Sequence, residues 1–414
     1  MKKLKHILIL EPEMLGHQSD YIRLIISFFI RHKKDIRLSF VVSSSIFDRL
    51  KITKEMENAI NREKLAFIVL SDKETAGCLH KILWIRSLYR WFIALRYCKS
   101  SGADHIHFLF VDHMQFPLAL RLPIPEGVNV SGVLFRPSVH YKKVFRNSLY
   151  LKEKIRDARK SILYRLLLKN PKVSLIFSLD EYFVMYANKH LPNGGKVHYL
   201  PDPSLLSSIN HQTLHQHGLT DLIPQERKIF LLFGALDKRK GIFEALEALA
   251  LLEDRISRHI AFVFAGKIQN NIRTEFMGKI NKYLKLHKNG ACVYVEDKFL
   301  SENELVQLLK KCDALLIPYQ RHVGSSGLLL WAASTRKQVI TQDCGLIGEL
   351  VKKYKLGLAV NTTQPGEIAK AVQQVVDGNL KKKTSERKKI ALFVKRHSPE
   401  EFSKKFFDAI LQHI

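Results

Sequence analysis

The residues with the most chemical potential gather at a few glycine-bearing turns. Gly324-Ser325-Ser326-Gly327 follows the apolar run 314–317 and a Pro318 break, and it opens a short helical stretch, 328–334. Backbone N–H groups at such a helix start have no intrahelical partner, which suits an anion and above all a diphosphate. The same glycines equally suit a tight turn that only lets strand and helix pack closely. A second turn, 234–241, combines glycine with lysine between the apolar run 228–233 and an Ala/Leu-rich helical stretch, 242–252. In the first half, Gly16 and His17 follow the run 6–10, Asp112 and His113 follow 105–111, and Arg136 follows 128–135. Histidines placed there would donate to sugar hydroxyls or phosphate, and each also fits an ordinary core or surface position.

The elements that must position these residues alternate between short apolar runs and helical segments. Runs at 6–10, 37–42, 65–69, 105–111, 128–135 and 173–179 read as strands of a parallel sheet covered on both faces. Tyr199-Leu200-Pro201-Asp202-Pro203 interrupts the pattern, and the polar, His/Gln-rich stretch 204–226 is the expected linker. The alternation restarts with runs at 228–233, 261–265, 292–295, 314–317 and 338–341. A chain of 414 residues exceeds one ordinary core. The expected class is therefore α/β, with two Rossmann-like domains facing across a cleft and ligands at the carboxyl ends of the strands. Ser398 and Pro399 read as the cap and first position of a last helix.

Composition narrows the partners. The formal charge of +28 calls for a cause. No zinc-ligand spacing, RNA-binding signature or basic low-complexity tail is present, so nucleic acid is not expected. Basic and aromatic residues instead interleave along 79–99 and 140–169, which suits an anionic membrane surface or phosphorylated ligands. In 79–99, Trp84, Leu88, Phe92 and Leu95 recur at helical spacing, while Arg86 and Arg90 lie elsewhere on the wheel. This reads as a helix on the sheet with a solvated basic edge, or as a lipid-docking helix. Five cysteines without a CxxC pair fit a reducing cytoplasm. The apolar run after MKKLKH is too short for a signal peptide, and no run approaches the length of a membrane span. Work on a lipid-linked substrate would proceed from the inner membrane surface.

Three segments carry a resemblance. LLFGALDKRKGIFEAL, CDALLIPY with its following serine-glycine loop, and KQVITQDCGLIGELV occur in that order, and the second half resembles the donor-binding domain of GT-B glycosyltransferases, in particular retaining family 4. The likeness extends over the whole chain and is strongest after residue 228. It implies an acceptor-binding domain at 1–205, a donor-binding domain at 206–390, and a terminal segment, 391–414, returning to the first domain. It places Lys240 on the lysine that contacts the donor diphosphate and Glu349 on a glutamate near the second glycine turn. Ser325, Ser326 and Gly327 remain phosphate donors, with Gly324 in the same turn. Ala235 stands where the family usually has an arginine, and Arg239 is the nearby substitute. The family's two glutamates, eight residues apart, are replaced by Val323 and Trp331, with His322 beside the first. Arg136 stands near the place of the active-site histidine, with His140 four residues on, and His113 and His17 are further candidates for that domain.

The expected function is transfer of a hexosyl unit from a nucleoside-diphosphate sugar to a glycan or lipid-linked acceptor, with retention at the anomeric carbon. Lys240, Arg136 and His113 are the catalytic candidates. Gly16, His17, Arg239, His322 and Glu349 join Lys240 and the 324–327 turn as donor-binding candidates. No cofactor and no metal are expected, since no DxD-type carboxylate cluster stands at a strand end. The alternatives are another nucleotide-sugar reaction such as epimerisation, and a binding protein that lost catalysis with the two glutamates.

Overall fold

In the computed structural model, which describes residues 4–14, 18–32, 35–144, 150–205, 223–378 and 384–413, the chain divides into two units. Unit 1 comprises Met1–Asp202 with Pro399–Ile414, and unit 2 is Pro203–Ser398. Most of the stretch read as a linker, together with Gly16 and His17, lies outside the described residues.

Unit 1 is built on seven parallel strands: β1 (Lys5–Glu11), β2 (Ile36–Ser43), β3 (Leu65–Leu70), β4 (His105–Phe108), β5 (Asn129–Leu134), β6 (Val173–Ser178) and β7 (Val197–Tyr199). They lie in the order β3-β2-β1-β4-β5-β6-β7. Unit 2 repeats the plan with six: β8 (Lys228–Phe233), β9 (Ile260–Ala265), β10 (Cys292–Glu296), β11 (Ala314–Ile317), β12 (Gln338–Gln342) and β13 (Gly357–Val360), in the order β10-β9-β8-β11-β12-β13. Both orders reverse direction after the first strand, between β1 and β4 and between β8 and β11. Ligands of open α/β sheets bind outside the carboxyl ends of strands at such reversals. The central strands are buried along most of their length because helices cover both faces of each sheet.

Two layers clothe the sheet of unit 1. One contains helix Gln18–Arg31 and the last helix, Pro399–Leu411, whose Phe402, Phe406, Phe407 and Ile410 are buried against β1, β5 and β6 residues. Burial of each such side chain stabilises this docking by about 1.5–3 kcal/mol. The other layer contains helices Leu83–Ser101, Gln115–Ala119, Leu151–Leu168 and Glu181–His190. Here the structure corrects the reading of 79–99. The segment is broken near His80, and the helix begins at Leu83. Its inward residues are Ser87, Arg90, Trp91, Ile93, Ala94 and Cys98, while Trp84 and Phe92 face solvent. Arg90 is not on a solvated edge; it is 2 % exposed.

Polar groups also enter the sheet core. His105 Nε2 and His107 Nδ1 lie 2.6 and 2.7 Å from the same Ser131 Oγ, and the His107 ring meets Phe406 edge-on at 5.0 Å. Burial first, then His413, pushes His105 down to about 3. Burial first, then His105, holds His107 well below its ordinary value. Both rings are therefore neutral in the folded protein. Below pH 6.5 the unfolded chain binds protons that these rings refuse, so acid favours unfolding. The loss should approach about 1.4 kcal/mol per pH unit for each histidine as pH falls below that value. Urea unfolding at pH 7.5, 6 and 5 should give steadily falling midpoints; a pH-independent midpoint would contradict neutral burial of this pair.

Candidate functional site

In unit 2 two loops meet at the β8/β11 reversal. After β8 the chain passes Gly234 at φ +101°, makes a 3-10 turn over Lys238–Lys240 and reaches Gly241 at φ +71° before helix Ile242–Ala250. Asp237 organises this turn. One carboxylate oxygen accepts from the Lys240 backbone N–H at 3.2 Å and the other from Arg239 Nη2 at 2.6 Å. Arg239 is thus engaged by Asp237 beside the turn. A Cβ on Gly241 would lie 1.9 Å from the Pro318 carbonyl oxygen, and Gln320 N–H donates to the Arg239 carbonyl at 2.9 Å. Only glycine permits the backbone after β8 to lie this close to the backbone after β11.

That approach brings Lys240 to the second loop. Its Nζ donates to Tyr319 Oη at 2.7 Å and stands 4.5 Å from the centre of the Tyr319 ring. Tyr319 Oη is in turn 3.2 Å from Ser326 Oγ. One ammonium, one phenol and one hydroxyl therefore form a line ending at Ser326, just before helix Gly327–Ser334. Ser326 is the N-cap of that helix, and its side chain makes no capping bond to it. Gly324 takes φ +106° in the same turn. His322 braces the turn: its Nε2 lies 3.2 Å from the Ser325 carbonyl oxygen, and its ring meets Tyr319 edge-on at 4.9 Å. Gln342, at the end of β12, fixes the loop further by accepting from His322 N–H at 2.8 Å and donating to the carbonyls of His322 and Cys344. A positive side chain and a helix start directed at one place are what a bound diphosphate requires.

The other candidates of this unit fall differently. Glu349 lies on helix Gly345–Tyr354 and pairs with Lys352 Nζ at 3.2 Å, three residues on. Trp331 is half-buried and stacks on Phe233, the last residue of β8, with ring centres 5.8 Å apart. Tyr319 and Gln342 were not singled out from the sequence. The only signal for Tyr319 was its place at the end of CDALLIPY.

Unit 1 assembles a separate polar cluster at the β1/β4 reversal. His113 closes a 3-10 turn after β4, and Arg136 follows β5. Asp112 joins these two loops by accepting from the N–H groups of Phe135 and Arg136 at 2.8 and 3.3 Å. The buried Arg90 reaches in from its helix. Nη1 is 2.9 Å from His113 Nδ1, Nη2 is 2.9 Å from Glu13 Oε2, and Nε donates to the Cys78 carbonyl at 2.8 Å. A guanidinium can only donate, so Nδ1 accepts from Arg90, and Arg86 Nη1 stands 3.5 Å from Nε2 on the other side of the ring. Burial, followed by the charges of Arg90, Arg86 and Arg136, pushes His113 down to about 3. This histidine is neutral near pH 7. Glu11, the buried end of β1, is raised to about 7, chiefly by burial, although Arg90 and the Glu13 N–H pull it down. Glu11, Glu13 and the inward role of Arg90 were not legible in the sequence. His140, another candidate, is wholly buried with Nε2 2.9 Å from Asp180 Oδ2, and so belongs to the core.

Among the described residues no group of three or more His, Cys, Asp or Glu side chains could hold a metal ion, and no helix is long and apolar enough to cross a membrane.

Comparison with known proteins adds the following. The family described as "Glycosyl transferases group 1" matches residues 220–391, the span that contains the Lys240–Tyr319 corner. No curated protein matches. Among solved structures, sucrose-phosphate synthase from Thermosynechococcus elongatus is similar at 14 % identity and a TM-score of 0.68, covering 99 % of this chain and 98 % of that one. An alpha,alpha-trehalose-phosphate synthase (UDP-forming) from Burkholderia vietnamiensis gives 10 % and 0.67, with 99 % and 100 % covered. A putative UDP-N-acetylglucosamine 2-epimerase from Listeria monocytogenes gives 10 % and 0.61, with 99 % and 97 % covered. The chain has the GT-B fold. Its two Rossmann-like α/β domains are those expected from the sequence, and the match to the glycosyltransferase family model lies in the second of them.

The close approach of the two loops yields a direct check within unit 2. Gly241→Ala forces a left-handed alanine and a clash with Pro318. It should destabilise unit 2 by at least about 1–2 kcal/mol from the backbone conformation alone. Thermal unfolding followed by circular dichroism would register this as a lowered midpoint, and a wild-type midpoint would contradict the contact.

Proposed function

We propose that this chain is a retaining, metal-independent glycosyltransferase, related in its donor site to family 4. It moves a hexosyl unit from a nucleoside-diphosphate sugar to a glycan or lipid-linked acceptor. Its place is the cytoplasm and the inner membrane face, in synthesis of cell-surface polysaccharide or glycolipid. The observation that carries this reading is the Lys240 ammonium held by Tyr319 beside the 324–327 turn.

In the reaction, the bond between the anomeric carbon and the terminal diphosphate oxygen breaks, and the acceptor oxygen forms the new glycosidic bond on the same face. The acceptor proton passes to a phosphate oxygen of the departing nucleoside diphosphate. Charge therefore accumulates on the leaving group, and the required catalysis is positioning plus stabilisation of that charge. Lys240 and the helix start at Gly327 supply it. Ser325, Ser326 and Gly324 shape the phosphate cradle, with His322 bracing it. Arg239 and Glu349 remain donor-site candidates beside it, and Gly16 and His17 belong to the proposed ligand-binding loop of the first domain. In the acceptor domain, neutral His113 and Arg136 are the catalytic candidates, with Arg136 adding positive charge.

A binding-only protein is the second reading, on the observation that Val323 and Trp331 stand where the family carries its two glutamates, with Trp331 stacked on Phe233. Incubation with a panel of nucleotide sugars separates the readings. Transfer requires nucleoside diphosphate to be released only when acceptor is present; tight donor binding without turnover would favour the second. Lys240→Ala should weaken donor binding by about tenfold to hundredfold, the scale of a lost charged hydrogen bond. Tyr319→Phe should cost a smaller factor, about two- to tenfold, because the ring remains beneath the ammonium. Unchanged donor affinity and rate in Lys240→Ala would overturn the assignment.

A further inference from the structure

The outer side of one helical layer in unit 1 combines exposed large apolar residues with positive charge. Helices Leu83–Ser101, Gln115–Ala119 and Leu151–Leu168 cover the same sheet face, sharing a core that includes Trp91, Ala94, Met114, Leu118, Tyr164 and Leu168. Gln115–Ala119 packs against both of the other helices, so their outer sides form one continuous surface. On it stand Trp84 and Phe92, 57 and 64 % exposed, and Ile155 and Ile162, 64 and 60 % exposed, with Leu120 and Leu166 also outward. The opposite layer is the internal control. Its helices Gln18–Arg31, Ser44–Leu50, Lys54–Asn61 and Pro399–Leu411 expose no large hydrophobic side chain among the described residues. Soluble proteins scatter such residues singly; a surface that gathers them has something to cover it.

The charge identifies the cover. Lys152, Lys154, Arg159 and Arg165 are exposed on helix Leu151–Leu168, interleaved with Ile155 and Ile162. Of the two acidic residues of that helix, Asp157 is buried and bonded to Ser138 and Arg156. A second copy of this face would oppose like charges, in a chain whose formal charge is already +28. A bilayer with anionic headgroups satisfies both requirements at once. Indole, phenyl and aliphatic groups enter the boundary between headgroups and acyl chains, while Lys and Arg meet the lipid phosphates.

We propose that this face docks unit 1 on an anionic bilayer. The inference deepens the reading above, since it places the enzyme where a lipid-linked acceptor would be, and it rests on that reading for its purpose alone. Its evidence is independent of the donor site.

The full-length protein should co-sediment with phosphatidylcholine vesicles that contain phosphatidylglycerol, and far less with phosphatidylcholine alone. Added salt should weaken the binding. Trp84 is the exposed one of the three tryptophans, since Trp91 is buried and Trp331 half-buried, so its emission should shift to the blue on binding. Trp84→Ser with Phe92→Ser should reduce binding severalfold, and Lys152→Glu with Lys154→Glu should reduce it by roughly fivefold or more per residue. Leu392→Ser, an exposed position in unit 2, should leave it unchanged. All these variants should keep the wild-type melting midpoint and turnover on a water-soluble acceptor, so a failure of docking is distinguished from a failure of the transferase reading. Three results would overturn the proposal: no binding to the anionic vesicles, binding indifferent to both pairs of substitutions, or a dimer in sedimentation equilibrium that Trp84→Ser with Phe92→Ser dissolves.

Discussion

The second unit of this protein depends on one close approach, the backbone of Gly241 against the carbonyl of Pro318. Two loops that leave neighbouring strands are held in contact there. Because they touch, Lys240 from the first loop can sit over Tyr319 of the second, and Tyr319 can reach Ser326. An isolated lysine in a turn would hold its charge wherever solvent and entropy favoured. Here the phenol and its ring define the position of the ammonium, so the charge is fixed before any ligand arrives. That pre-organisation is what stabilisation of a departing diphosphate needs, because little reorganisation is then left to the reaction.

The first half solves a different electrostatic problem. Arg90 is almost wholly buried, and its guanidinium is satisfied by Glu13, His113 and the Cys78 carbonyl. Burying a charge is costly unless it is paired and hydrogen-bonded, and here three partners from three segments share that task. The same arrangement determines the state of His113, which burial and the neighbouring arginines keep neutral. Glu11, whose carboxylate accepts from the Glu13 N–H, is raised to about 7, chiefly by burial. Arg90 thus fixes the end of β1 to the turn after β4 through Glu13 and His113.

Much of the fold was legible because parallel strands covered on both sides leave unbroken apolar runs, and these recur with helices between them in both halves. The glycine-serine turn and the lysine turn were legible for the same reason, as breaks at strand ends. What escaped was the choice between faces. Helix Leu83–Ser101 has two apolar stripes, one through Trp84 and Phe92 and one through Trp91, Ile93 and Ala94. Periodicity alone does not say which meets the sheet. The decision rests on Arg90, whose partners Glu13 and His113 are distant in sequence and close only in the fold. His140 misled for the converse reason: a histidine after a strand reads as a ligand, yet Asp180 receives it inside the core. Tyr319 left no periodic trace, since its role lies in where its hydroxyl ends rather than in what it packs against.

The central claim is that the Lys240–Tyr319–Ser326 line marks the diphosphate position. A crystal structure of the protein soaked with a nucleoside diphosphate tests this most directly. The account predicts the terminal phosphate within hydrogen-bonding distance of Lys240 Nζ and of the turn Gly324-Ser325-Ser326-Gly327, with Tyr319 still beneath the ammonium. A diphosphate bound elsewhere, with Lys240 unmoved and untouched, would contradict it.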